Sequence, residues 1–311
     1  MAAPTYERQN PAYYALIALL IFMSVGPVVL LLANSLKLDV DITSGGGGLL
    51  FMPTIQNYET ALCDILWYEP EHLRFCTIRF GGACINSIII ALVSTALTLI
   101  FGCMAAYALV RFRFMGRDSM SLSTLAVRMI PPAVLLVPVF GLWNNAFCLD
   151  NDAMISGWIR DTFGGRGDVC LAGTHSGIIL IYVAMNLPFV IWILQSFIAQ
   201  VPPSLEEAAR VDGAGPFQVF FLVVLPLIKP GLAAASIFTF RIAWNEYLLA
   251  SALADRDTMT VPILIVNNAS EFDGLGTIMA TGMLLAIPPI LFTLFASRQI
   301  ITGMTAGAVK G

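Results

Sequence analysis

PSLEEAARVDGAGP, residues Pro203–Pro216, is a polar, sharply punctuated segment between two long apolar stretches, Ser176 to Ala199 and Pro230 to Ala254. Its local chemistry reads as a short helix with a signal at each end. Ser204 is placed to cap it, and Glu207 three residues later completes a capping box. Gly213 suits the left-handed conformation that ends a helix. Pro216 suits the first turn of a second helix, which continues through Phe217 to Leu225 until Pro226 interrupts it. The product is a helix–turn–helix elbow. Its first helix carries a small face, Ala208 and Ala209, with a charged rim, and Glu206 and Glu207 near its start favour the helix dipole. A small face lets another protein's surface come close. An amphipathic connector lying on a membrane surface would carry the same residues, so both readings stand at this point.

Outward from the elbow the chain becomes a membrane protein. Of its 311 residues 58% are hydrophobic and 12% charged, whereas a soluble domain carries about 25% charged residues. A helix needs about 20 apolar residues to cross the hydrocarbon core. Uncharged stretches of that length run from Ala12 to Leu36, Ala83 to Val110, Met129 to Leu149, Ser176 to Ala199 and Gly274 to Ser297. A sixth, Pro230 to Ala254, is interrupted by Arg241 and Glu246 alone. The third is expected to start near Met120, which would place Arg128 inside it. The first is too long for a signal peptide's apolar region and has no small-residue cleavage site after it. The fold class expected is therefore all-α and polytopic, with six transmembrane helices.

Lys and Arg placement sets the orientation. With the N-terminus inside, the inner segments hold eight basic residues against five acids, and the outer loops six basic against fourteen acidic. The loop Arg111–Phe112–Arg113–Phe114–Met115–Gly116–Arg117 is the strongest single signal. Both termini are expected in the cytoplasm. The expected organisation is a tail at 1–11, a first span at 12–36, an extracytoplasmic loop at 37–80, a five-helix core at 81–300 and a tail at 301–311. The outer loop 37–80 contains the flexible tract Gly45 to Gly48, with Cys63 and Cys76. Cys148 and Cys170 bracket the next outer loop. An oxidising compartment makes a Cys148–Cys170 disulfide one reading, and small apolar packing residues the other.

The net charge of −4 argues against nucleic acid. His72 and His175 lie far apart without clustered ligands, so no metal site is expected. The lysines are Lys37, Lys229 and Lys310, and none follows a glycine. The chain thus lacks the G-x-x-x-x-G-K-[ST] phosphate loop of an ATP-hydrolysing motor.

Glu207–Ala208–Ala209, three residues, Gly213, nine residues, Val223, one residue, Leu225–Pro226 resembles the EAA loop of ABC importer permeases, E-A-A-x3-G-x9-I-x-L-P, with Val223 in place of Ile. Phe240–Arg241–Ile242–Ala243–Trp244–Asn245–Glu246–Tyr247 is similar to the W-N-E-[FY] stretch of maltose-type sugar permeases. The C-terminus, Gly303 to Gly311, looks like their tail. The likeness covers about Gly81 to Gly311 and the first span; the first outer loop has no place in the family pattern.

The resemblance implies a type I ABC importer permease fold and a role in binding-protein-dependent uptake of a maltose, α-glucoside, trehalose or polyol class sugar. The loop 201–226 would supply a coupling helix to a dimer of separate ATP-binding subunits. Glu206, Glu207, Ala208, Ala209, Asp212, Gly213, Leu225 and Pro226 would form that coupling site. Thr305, Gly307 and Lys310 in the tail would touch the same partner. A second homologous permease would complete the path, and the outer loop Asp255 to Asp273 would face an extracytoplasmic solute-binding protein. The chain would bind no cofactor itself, ATP and Mg belonging to the ATPase, and it would not be an enzyme. It would lie in the bacterial inner membrane, surrounded by lipid.

Ionisable groups within a span are costly and usually line a cavity or pair with one another. Arg241 and Asn245 share a face at i and i+4, while Glu246 stands about 140° from Arg241. Asn245, Glu246 and Arg241 are candidates for the translocation path. A packing pair between Arg128 and Glu246 is the competing reading. Trp143, Trp192 and Trp244 could stack on sugars or mark membrane interfaces. The rivals to this function are an ABC permease for another solute and a secondary transporter, which would show repeats between its halves. An embedded enzyme would need polar constellations in its spans.

Overall fold

The structure is a computed structural model and describes residues 11–44, 48, 51–66, 79–143, 171–270 and 274–308. The tract Gly45–Gly47, His72, Cys76, Cys148, Cys170 and Lys310, on which expectations fell, lie outside the described residues. All regular elements among those described are helices.

The chain opens with α1 (Pro11–Ser35), followed by three short helices, α2 (Asp39–Thr43), α3 (Gln56–Ala61) and α4 (Cys63–Leu66). The long α5 (Phe80–Arg111) leads to α6 (Arg117–Arg128) and α7 (Pro132–Gly141). After α8 (His175–Ala199) come the elbow helices α9 (Pro203–Val211) and α10 (Pro216–Leu227). The last part holds α11 (Lys229–Trp244), α12 (Leu248–Leu253), α13 (Val261–Ser270) and α14 (Leu275–Ala308).

Tyr13–Ser35, Phe80–Arg111, His175–Ala199 and Leu275–Gln299 are each long and apolar enough to cross a bilayer. Two further pairs pass together but are bent, α6 with α7 by 95° and α10 with α11 by 74°. Counting each bent pair as one span gives six. The expected third span is therefore not one straight helix: Ile130–Pro131 breaks it, because Pro disfavours helix in the residue before it. The expected span Pro230 to Ala254 is interrupted as well. At 1.5 Å per residue α11 reaches only about 24 Å, short of the ~30 Å core, and the chain stops at Asn245 before restarting as α12.

Contacts divide the chain into one unit of residues 1–81 and 265–286, and a second of residues 82–264 and 287–311. Within the first, α1 exposes apolar side chains on all sides, Phe22 and Met23 among them, as expected of a helix solvated by lipid or other chains. Its far end is tied down. Asn57 of α3 is buried and donates to the carbonyls of Ser35 at 2.9 Å and Lys37 at 2.7 Å. Asp39 accepts from the Gly276 amide at 2.7 Å, placing a carboxylate at the N-terminus of α14. Asp64 does the same for α5 through the Gly81 amide at 2.8 Å. Cys63 is disulfide-bonded.

In the second unit an apolar core forms where α5 (Cys103, Ala106, Leu109) meets α8 (Val190, Leu194, Ile198) and the segment Val224, Ile228, Ala235. Glycines permit the close approach. A Cβ on Gly102 would stand 2.6 Å from Val190 Cγ1, and one on Gly231 would run into the Phe197 ring. Small residues at such crossings are how apolar helices pack in lipid.

Candidate functional site

The elbow forms as a turn between α9 and α10, with differences in detail from the sequence reading. Ser204 is not its cap. Pro202 occupies the N-cap position and Pro203 the first helical position, without a side-chain cap bond; two prolines with preset φ start the helix one step earlier. At the other end Gly213 has φ +89°. The Gly213 amide donates to Arg210 at 3.1 Å and the Ala214 amide to Ala209 at 2.9 Å, the paired bonds of a Schellman ending. Pro216 starts α10, and the Gln218 side chain accepts from the Gly215 amide at 2.8 Å. Pro226 does not stop this helix. A π-helical stretch at Val219–Val224 precedes it, so the chain continues to Leu227 and bends at Ile228.

Charge and apolar surface are sorted across α9. Glu207, Ala208 and Asp212 are exposed, Ala209 is half-buried, and Val211 is 88% exposed. Phe217, beyond the turn, is 76% exposed. An apolar pair standing free beside acids at a tight turn is a surface suited to a partner. Leu225 is half-buried and Pro226 exposed.

Glu206 faces the other way. It is 3% exposed, contrary to the expectation that it lies on the rim with Glu207. Its Oε1 accepts from Arg111 Nε at 2.6 Å, and its Oε2 from the Tyr107 hydroxyl at 2.9 Å. Arg210, one turn on, approaches Oε2 at 3.8 Å. The Arg111 Nη2 also donates to the carbonyls of Ile198 at 3.1 Å and Val201 at 2.6 Å. A cation thus stands at the C-terminal end of α8, on one carbonyl of its last turn and one just beyond it. Removing one member of such a buried pair costs about 3–5 kcal/mol. Nothing in the local sequence pairs positions 95 residues apart.

A cavity of about 480 Å³ lies in the same unit, lined among others by Arg128, Ile181, Tyr182, Asn186, Ile242 and Glu246. Glu246 borders it but is already committed. Its carboxylate accepts from the Leu249 amide at 2.9 Å, the Ala250 amide at 3.0 Å and the Tyr182 hydroxyl at 2.8 Å, and so caps α12. Arg128 sits at the break of the bent α6–α7 span: it ends α6, exposed, with its guanidinium 4.1 Å over the Phe189 ring. Arg128 and Glu246 form no ion pair among the described residues, which goes against the competing reading of a packing pair. Asn245 donates to the Arg241 carbonyl at 2.9 Å and ends α11; Glu246 lies past that end, so a helical angle does not relate it to Arg241. Trp244 and Trp143 are buried, the latter donating to the Gly177 carbonyl at 3.2 Å, and Trp192 is exposed. Thr305 and Gly307 belong to the helical continuation of the last span.

These elements define a multi-pass α-helical membrane protein with an exposed elbow between spans. Residues 98–305 match the family described as "Binding-protein-dependent transport system inner membrane component", and the chain belongs to that family. It is 36% identical to the trehalose transport system permease protein SugB of Mycobacterium tuberculosis, over 75% of this chain and 78% of that protein. It is 31% identical to the diacetylchitobiose uptake system permease protein DasC of Streptomyces coelicolor, over 78% and 80%. With the trehalose/maltose transport system permease protein MalG of Thermococcus litoralis the identity is 30%, over 84% and 83%. In structure it is similar to a chain of a bacterial ABC transporter involved in the import of the acidic polysaccharide alginate. The TM-score is 0.62 at 19% identity, over 96% of this chain and 99% of that one, which establishes the shared fold.

Proposed function

We propose that this chain forms half of the path of an ATP-driven, binding-protein-dependent importer of a carbohydrate, and that its elbow receives the motion of a separate ATP-binding subunit. The observation that carries the reading is the two-sided α9. It is roped to the ends of α5 and α8 through Glu206, while Glu207, Ala208, Val211 and Asp212 face outward, within the segment Glu207–Gly213 that has the E-A-A-x3-G spacing. A helix built so can be pushed from outside and move two spans.

Membership of the transport family supports the partners that go with it: a second permease, an ATPase dimer carrying ATP and Mg, and a solute-binding protein outside. The relatives named for trehalose, diacetylchitobiose and maltose support a di- or oligosaccharide as solute. The arginine-rich loop 111–117 supports an elbow on the cytoplasmic side of a bacterial inner membrane, with the tail at Thr305, Gly307 and Lys310 on the same side. Under this reading the cavity beside Tyr182, Asn186 and Glu246 is this chain's share of the path, closed by its partner permease.

The experiment is uptake of trehalose, maltose and diacetylchitobiose into proteoliposomes holding the full complex, with ATP inside and binding protein outside. ATP-dependent accumulation of one of these sugars, abolished together with stimulated hydrolysis by Glu207→Ala in a complex that still assembles, is the expected result. Normal uptake by Glu207→Ala contradicts the role of the elbow, and accumulation of none of the sugars contradicts the solute class.

A further inference from the structure

Resting on the docking reading above, we propose that Arg111 is a positioning residue that locks α9 to the ends of α5 and α8, so that displacement of the elbow is delivered to both spans. The two acids that begin the elbow therefore divide their work. Consecutive helical residues point about 100° apart, so Glu207 faces out while Glu206 is 3% exposed. A carboxylate at that depth has no external partner to meet; its acceptors are filled from within by Arg111 and Tyr107. Tyr107 lies one turn before Arg111 on α5, so the two grip Glu206 from one helix face.

The guanidinium joins three elements at once. It ends α5, holds Glu206 of α9 at 2.6 Å, and holds the Ile198 and Val201 carbonyls where α8 gives way to the connection, at 3.1 and 2.6 Å. Residues 200–202 are all that join α8 to α9. Pro202 lacks a backbone N–H, and the amides of Gln200 and Val201 turn back to Phe197 and Ile198 of α8 at 3.2 and 3.1 Å; the guanidinium instead carries hydrogen bonds from the end of α8 across to Glu206 of α9. The planar fork of Arg suits three acceptors in fixed directions, whereas a lysine ammonium is a point charge on a flexible stem.

The test is the ratio of sugar imported to ATP hydrolysed in proteoliposomes of the whole complex, using the sugar of the above panel that wild type imports fastest. Wild type is compared with Arg111→Lys, Arg111→Gln and Tyr107→Phe, and with Glu207→Ala beside them. A residue that merely stabilises the fold changes how much complex assembles and leaves the ratio in the assembled fraction untouched. The positioning role predicts a ratio lowered about fivefold or more in Arg111→Gln, an intermediate value in Arg111→Lys, and a smaller loss in Tyr107→Phe. If Arg111→Gln does not assemble, the two milder variants decide in the same way. Wild-type ratios with a defective Glu207→Ala overturn the lock and leave the docking reading intact. A normal Glu207→Ala removes the docking reading and this proposal together.

Discussion

At Gly213 the chain turns at φ +89° with nothing within 4 Å of where a Cβ would stand. The position is restricted by backbone conformation and not by space. Left-handed geometry costs an L-residue about 1–2 kcal/mol, least for Asn and most for β-branched side chains. Gly213→Val is therefore expected to lose binding-protein-stimulated ATPase activity while Gly213→Asn retains most of it, measured on purified complexes of matched composition. Equal activity in the two would mean that the turn is not under conformational restraint. Glu246 admits a similar pair. Gln keeps an oxygen for the amides of Leu249 and Ala250, whereas Ala leaves both without a partner. Loss of a cap costs about 0.5–2 kcal/mol, so Glu246→Ala should melt below Glu246→Gln in a thermal unfolding scan of the complex in detergent. Residues such as Gly213 and Pro216 were legible in the sequence because their constraint is local. Glu206 was not, since its inward turn depends on Tyr107 and Arg111, which the fold alone brings beside it.

Helices differ in the same respect. The apolar stretches of α1, α5, α8 and α14 could be read by length, because lipid selects for uninterrupted hydrophobic chain. The breaks could not all be read. Ile130–Pro131 carries a proline signal, but Asn245–Glu246–Tyr247 has neither Gly nor Pro; the break there is held by Glu246 capping α12. The N-terminus of α9 was misread for a related reason, Pro203 taking the first helical position ahead of the Ser204 signal. Packing of α11 on α8 supplies a test at this scale. A methyl group on Gly231 would overlap the Phe197 ring, and overpacking costs about 1–3 kcal/mol. Gly231→Ala should lower the melting temperature, and Phe197→Leu in the same chain should restore part of it. Additive losses in the double variant would contradict the contact.

For the whole molecule, composition and the positions of arginine are enough to make a polytopic chain, and the E-A-A-x3-G spacing was enough to point to the transport family to which it belongs. Less of the first outer loop could be read. Its polar anchors, Asn57 on the end of α1 and Asp39 on the start of α14, are tertiary caps that no spacing rule reports. The central claim concerns what lies beyond the chain: that α9 docks on an ATP-binding subunit. The most direct measurement places a photoreactive phenylalanine derivative at Val211, at Phe217 and, as a buried control, at Val224, and irradiates the complex in native membranes. The account predicts cross-links to the ATP-binding subunit from Val211 and Phe217 and none from Val224. Cross-links from neither exposed position, or to lipid alone, would make the elbow a surface connector and contradict the account.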